Sequence, residues 1–97
     1  MAAYVVLNIE VTDPIQYADY IKAAGTTVER CGGKYLARGG RADKLEGSTE
    51  PKRFVILEFP SYERAKAWWD CAEYQGPKAI RQSSARSDAI LVDGVSS

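Results

Sequence analysis

The chain is predicted to adopt an α+β, ferredoxin-like βαββαβ fold with a four-stranded antiparallel sheet. Three observations predict it. Residues 4–11 and 54–59 are strongly apolar segments rich in β-branched and aromatic residues. Two other segments carry apolar residues at helical spacing behind a capping residue. The resulting order is strand, helix, strand, strand, helix, strand, with no repeat or linker. A length of 97 residues suits one domain spanning 1–97 and is too short for two cores.

The first strand covers residues 4–11 and places Val5, Leu7, Ile9 and Val11 on one face, with Tyr4, Val6, Asn8 and Glu10 on the other. Asp13 then caps a helix, Pro14 fits its first position, and Gln16 stands where a capping box needs it. Tyr17, Tyr20, Ile21, Ala24, Val28 and Cys31 form its apolar stripe, and Gly32-Gly33 ends it. A short strand is expected from Lys34 to Arg38, broken by Gly39-Gly40. Residues 41–52 read as a polar loop or a small extra hairpin.

The strand from Phe54 to Phe59 has one carboxylate among apolar neighbours. Phe54, Ile56 and Glu58 share one face; Val55, Leu57 and Phe59 share the other. A carboxylate on an apolar face must find a partner, titrate, or lie at the rim. Ser61 caps a second helix with a stripe of Tyr62, Ala65, Trp69 and Ala72, widened by Trp68. Gly76-Pro77 is expected to interrupt it, a short helix to run from Pro77 to about Ala85, and the last strand to cover Ala89 to Val92. Both central strands are apolar on most of both faces, whereas a half-solvated sheet alternates cleanly. The second face needs cover, and the simplest cover is the same face of another copy, giving a homodimer through the sheet faces.

Thirteen basic and thirteen acidic residues balance, which argues against a nucleic-acid or anionic-membrane footprint. No segment approaches a membrane span, and no signal-peptide pattern opens the chain, so a cytoplasmic protein is expected. Histidine is absent, which excludes Ser-His-Asp and Cys-His catalysis, His-ligated haem and His-based metal sites within this chain. No metal and no cofactor is expected. Cys31 and Cys71 lack metal-ligand spacing and read as free thiols, small buried hydrophobes rather than nucleophiles.

Several stretches resemble one family across nearly the whole chain. They are Asp13-Pro14 with Tyr17 and Tyr20, the run from Gly32 to Gly40, Leu45-Glu46-Gly47, the segment from Val55 to Ser61, Glu73-Tyr74-Gln75, and Arg81. Together they are similar to the DUF1330 family. The resemblance implies a dimeric α/β barrel, in which two ferredoxin-like sheets pack face to face. The wider superfamily includes cofactor-free monooxygenases, haem-degrading enzymes, muconolactone isomerases and stress-responsive barrel proteins. Haem degraders use an axial histidine, which this chain lacks. Kinship at that distance implies architecture rather than activity.

Candidate site residues are Tyr20, Arg38, Glu58, Trp69, Tyr74 and Arg81. Arg38 or Arg81 could bind a ligand carboxylate bidentately or pair with Glu58 as a structural ion pair. Glu58 is the candidate catalytic acid or base if Phe54 and Ile56 raise its pKa; an arginine partner would lower it. Tyr20, Tyr74 and Trp69 could wall a flat ligand. Asn8 reads as a solvent-facing or interface amide, and Asp13 as a cap rather than a ligand. The leading expectation is binding, with cofactor-free turnover as an extension, of a small organic acid or aromatic compound between sheet and helices. The alternatives are a non-catalytic dimeric module and a cofactor-independent monooxygenase.

Overall fold

In a computed structural model that describes residues 1–95, the two apolar strands pair antiparallel at the centre of a four-stranded sheet. They are β1 (Ala3–Val11) and β3 (Arg53–Phe59), flanked by β2 (Lys34–Arg38) and β4 (Ala85–Asp93) in the order β2-β3-β1-β4. Helices α1 (Pro14–Arg30), α2 (Tyr62–Asp70) and α3 (Ala72–Ser84) supply the other layer. The topology is the expected split βαβ arrangement.

Alternation along the strands separates the two faces. Val5, Leu7 and Ile9 of β1 and Val55, Leu57 and Phe59 of β3 are buried under the helices. The opposite face carries a row across the sheet, Ile56–Val6–Ile90, set by direct register. Ile90 is 63% exposed and Val92 is 47% exposed. Helices cover one face and leave the other, equally apolar along its middle, open.

The helix starts follow their caps. Asp13 accepts from the Gln16 backbone N–H at 3.1 Å, and Ser61 accepts from Arg64 N–H at 3.1 Å. The reciprocal half of the capping box is absent, because the Gln16 amide instead donates to Ser83 Oγ at 2.8 Å and ties α1 to α3. Gly32, at φ 81, turns the chain out of α1, with Gly33 N–H bonded back to the Val28 carbonyl at 2.9 Å. Within α1, Tyr17, Tyr20, Ala24 and Val28 are buried, while Ile21 is exposed at the helix margin.

Of the two readings of residues 41–52, a polar loop or a small hairpin, the loop is the one formed, and three other expectations, on the buried side of α2, the helix break and the start of β4, are corrected. Asn8 anchors that loop: its amide donates to the Glu50 carbonyl at 3.1 Å and accepts from Lys52 N–H at 2.9 Å. The buried side of α2 is Ala65 and Trp68, with Trp69 half-buried and Tyr62 and Ala72 exposed. The helix break falls at Cys71, not Gly76-Pro77; Cys71 is extended (φ −68, ψ 152), and α3 runs through Pro77. Proline forfeits one backbone bond there. Gln75 Nε2 and Lys78 Nζ meanwhile donate to the Trp69 carbonyl at 3.1 and 3.0 Å, occupying an acceptor that the end of α2 leaves free. Finally, β4 starts at Ala85 rather than Ala89, since Arg86, Ser87 and Asp88 pair with Glu10, Ile9 and Asn8 of β1. As an edge strand it tolerates that polar stretch.

Trp68 organises the core. Its ring lies 4.1 Å from Tyr74 and 5.4 Å from Phe59, centroid to centroid, and its indole N–H donates to Thr27 Oγ1 at 3.0 Å. Thr27 Oγ1 in turn donates to the Ala24 carbonyl at 2.7 Å, so no polar atom of the pair is left unmet. Cys31 and Cys71 pack against this core but are half-exposed rather than buried. Burial of its sulfur, joined by the neighbouring Cys71 thiol, raises the Cys31 pKa, which holds it as a weakly reactive thiol.

The turn after α1 leaves no room for a side chain. A Cβ on Gly33 would sit 2.7 Å from Phe59 and 2.9 Å from Val28, both buried. Gly33→Ala is therefore expected to destabilise the fold by about 1–3 kcal/mol, read as a lowered urea midpoint. An unchanged midpoint would mean that those two side chains can move aside.

Candidate functional site

Parity in β2 decides where Arg38 goes. Lys34 lies opposite Glu58 and Tyr35 opposite Leu57, but a bulge at Leu36 then sets Ala37 opposite Ile56 and Arg38 opposite Val55. Without the extra residue Arg38 would share the face of Lys34. With it, Arg38 joins Val55 and Leu57 on the helix side. Arg53, at the start of β3, has the same parity as Val55 and pairs with buried Ile9.

The helix side of the sheet consequently holds three arginines over aromatic rings. The guanidinium carbon of Arg38 lies 4.4 Å from the Tyr35 centroid, that of Arg53 5.8 Å from Tyr17, and that of Arg81 5.9 Å from Tyr20 and 5.5 Å from Trp69. Arg81 is 2% exposed, reached from α3, and its Nη1 donates to Ser87 Oγ. Among the described residues none of the three arginines has a carboxylate within 4.0 Å. The Nε atoms of Arg53 and Arg81 are buried without a hydrogen-bond partner. Such donors cost free energy when nothing accepts from them.

Glu58 is elsewhere. It lies on the open face beside Tyr4 and forms an ion pair with Lys34 at 3.2 Å, its side chain 26% exposed. The expected pairing with Arg38 or Arg81 is therefore replaced by Lys34, because alternation puts Glu58 on the side opposite both. The remaining candidates are grouped. Tyr20 and Tyr74 share a hydrogen bond between their hydroxyls at 3.0 Å, and Trp69 stands 5.8 Å from Tyr74 and against Arg81. Burial, joined by the adjacent Tyr74, pushes the Tyr20 phenol far above its ordinary value, so it stays neutral and does not serve as a base, while either hydroxyl of the pair can be the donor. Burial also raises Tyr35, against the opposing pull of Arg38.

Tyr20, Arg38 and Arg53 line a cleft between α1 and the sheet, walled by Tyr17 and Tyr35. Its free volume is about 20 Å³, enough for a water or one small polar group. Arg53 was not singled out from the sequence, although extending the strand by one residue gives it the parity of Val55. Two larger hollows lie outside. One, of about 330 Å³, runs between α2 and β4 along Tyr62, Lys66, Trp69 and Leu91. Its cation Lys66 is already paired with Asp70 at 3.7 Å. The other, of about 380 Å³, is polar and rimmed by Glu10, Glu50, Lys52 and Asp88 near the Asn8-anchored loop. Among the described residues no group of three or more His, Cys, Asp or Glu could hold a metal ion, and no helix is long and apolar enough to cross a membrane.

The fold, with helices on one sheet face and an apolar open face, is ferredoxin-like. The DUF1330 profile, a domain of unknown function, matches residues 2–95, and the chain belongs to that family. Solved structures show the same fold at low identity. A protein of unknown function from Rhodopseudomonas palustris superposes with a TM-score of 0.79 at 19% identity, over 99% of this chain and 84% of that one. A dimeric ferredoxin-like protein of unknown function from Jannaschia sp. CCS1 gives 0.71 at 11% identity, covering 97% of this chain and 100% of its own. SnoaB, a cofactor-independent oxygenase from Streptomyces nogalater, gives 0.66 at 10%, covering 99% and 95%. No curated protein matches.

The neutral Tyr20 phenol has a consequence for stability. An unfolded chain releases this proton near pH 10, whereas the native chain holds it well above that. The native state then carries the extra proton, so stability present below pH ~10 is lost as pH rises beyond it. Tyr20→Phe is expected to make that alkaline loss shallower in urea titrations between about pH 9 and about pH 11. An unaltered slope would contradict a deeply buried phenol.

Proposed function

We propose that the protein binds a small organic acid or aromatic compound on the helix side of its sheet. Arg81 carries this reading. It is a guanidinium at 2% exposure, set between Tyr20 and Trp69, with an unmet Nε and no carboxylate partner among the described residues. A buried charge with no counter-ion is costly, and an anionic ligand would supply what the protein does not. Tyr74 and Tyr20 add a neutral hydroxyl pair beside it, and Arg38 a second cation in the same layer. Cofactor-free turnover remains part of the proposal only for a ligand that reacts without a protein base, since Glu58 lies across the sheet. The likeness to an oxygenase of 10% identity supports the scaffold alone.

The homodimer belongs to the same proposal. Val6, Ile56, Ile90 and Val92 form an apolar patch on the open face, and contiguous exposed patches of that kind mark interaction surfaces. A second copy of the face covers it with matching chemistry. The non-catalytic reading is favoured by one observation, the closeness of the cleft, about 20 Å³ in free volume, whose Tyr20 already bonds to Tyr74.

Two experiments test these statements. Replacement of Arg81 by methionine is expected to change stability by less than about 1.5 kcal/mol, because the lost Ser87 bond is offset by removal of a buried charge. The same change should abolish any rise in melting temperature that small carboxylates give the wild type. Strong destabilisation, with no carboxylate response in the wild type, would instead establish the structural role. In sedimentation velocity the wild type should run as a dimer and Ile56→Asp as a folded monomer; a monomeric wild type at micromolar concentration sinks the dimer.

A further inference from the structure

The positions of Arg38 and Arg53 name the ligand class more narrowly than the cleft alone does, and this step rests on the binding reading above. Gly39 follows β2 with φ 72, a backbone conformation that favours glycine. A Cβ there would overlap the Arg53 guanidinium, while Gly39 N–H bonds to the Phe54 carbonyl at 2.8 Å. The chain thus folds its backbone directly over Arg53, holding that guanidinium between Gly39 and the Tyr17 ring. Arg38, immediately before Gly39, reaches the same cleft from the exposed side. Both cations therefore border one opening, Arg53 held under Gly39 and Arg38 lying over the Tyr35 ring.

Three features define what fits. The charge is net positive and unmatched by any protein carboxylate within 4.0 Å among the described residues. The buried Arg53 Nε–H has no acceptor among the described residues. The free space, about 20 Å³ between flat tyrosine walls, admits a polar headgroup but not a ring. We infer that Arg38 and Arg53 form a two-guanidinium grip for the carboxylate of a small organic acid, taken head-first. The carboxylate enters between the two arginines and accepts from Arg53 Nε–H. The rest of the ligand stays at the mouth, against Tyr35 and the exposed Ile21. A guanidinium fork matches carboxylate and phosphate alike, and the small free volume between the tyrosine walls favours the smaller, planar carboxylate. Gly39 is a positioning residue for this grip.

Calorimetry on the full chain with benzoate, its neutral isostere benzamide, and inorganic phosphate tests the grip. Benzoate is expected to bind the wild type at least about tenfold more tightly than either of the others. Arg53→Gln should weaken benzoate by at least about tenfold and leave benzamide unchanged. Arg38→Gln, at an exposed position where the fold is not at risk, should weaken benzoate in the same selective way and stands in if the Arg53 variant does not fold. Equal binding of benzoate and benzamide overturns the grip but leaves the cleft reading intact. So does benzoate binding that survives both substitutions yet is lost in Arg81→Met. Phosphate binding as tightly as benzoate overturns the carboxylate class. Failure of all three probes to bind the folded wild type overturns grip and cleft together.

Discussion

Side-chain parity across the sheet, shifted once by the bulge at Leu36, is the constraint on which the rest of this structure depends. Successive residues of a strand point to opposite faces, so a one-residue slip moves every later side chain to the other side. In β1 and β3 the alternation is unbroken, and it sends Val5, Leu7, Ile9, Val55, Leu57 and Phe59 under the helices. In β2 the bulge reverses it between Tyr35 and Ala37. Lys34 therefore stays with Glu58 on the open face, while Arg38, four residues on, lands among the tyrosines.

That partition gives the two faces different electrostatics. The open face pairs part of its charge, with Glu58 bound to Lys34 and Glu10 3.9 Å from Lys52. Such exposed pairs contribute about 0–1 kcal/mol each, and Arg86 and Asp88 at the β4 edge of the same face are exposed to solvent. The helix side is unbalanced. Arg38, Arg53 and Arg81 face tyrosine and tryptophan rings, and ring faces offset only part of the desolvation of a guanidinium. The aromatic layer is itself well packed, from Phe59 through Trp68 to Tyr74 and Tyr20. Each such pair adds about 0.5–1.5 kcal/mol beyond burial. The core can therefore carry unmet cations at its margin without losing the fold.

Much of this was legible in the residues. Asp13-Pro14 and Ser61 announce two helices through capping chemistry, and the β-branched runs at 4–11 and 54–59 announce the central strands. Their double-sided apolarity announces an uncovered face. What could not be read depended on tertiary pairing. Nothing in Lys34-Tyr35-Leu36-Ala37-Arg38 signals a bulge, so Arg38 could not be assigned a side, nor Glu58 its lysine. Arg86-Ser87-Asp88 lacks strand character and becomes strand only because β1 offers a free edge. Pro77 looked like a helix breaker, yet the chain breaks at Cys71, where Gln75 and Lys78 cap the loose carbonyls. Arg53 stands one residue outside the apolar run, which therefore does not announce it, though its parity follows from that of Val55.

The central claim is that the helix side of the sheet holds cations awaiting an external anion. Anomalous diffraction from a crystal of the full chain soaked in bromide tests it directly, because bromide marks unpaired guanidiniums without presupposing a ligand. A bromide peak is expected within hydrogen-bond reach of Arg53 or Arg81, between the tyrosines and the sheet. Bromide confined to lysines of the outer surface, with Arg38, Arg53 and Arg81 each paired to a carboxylate of its own or a partner chain, would contradict it.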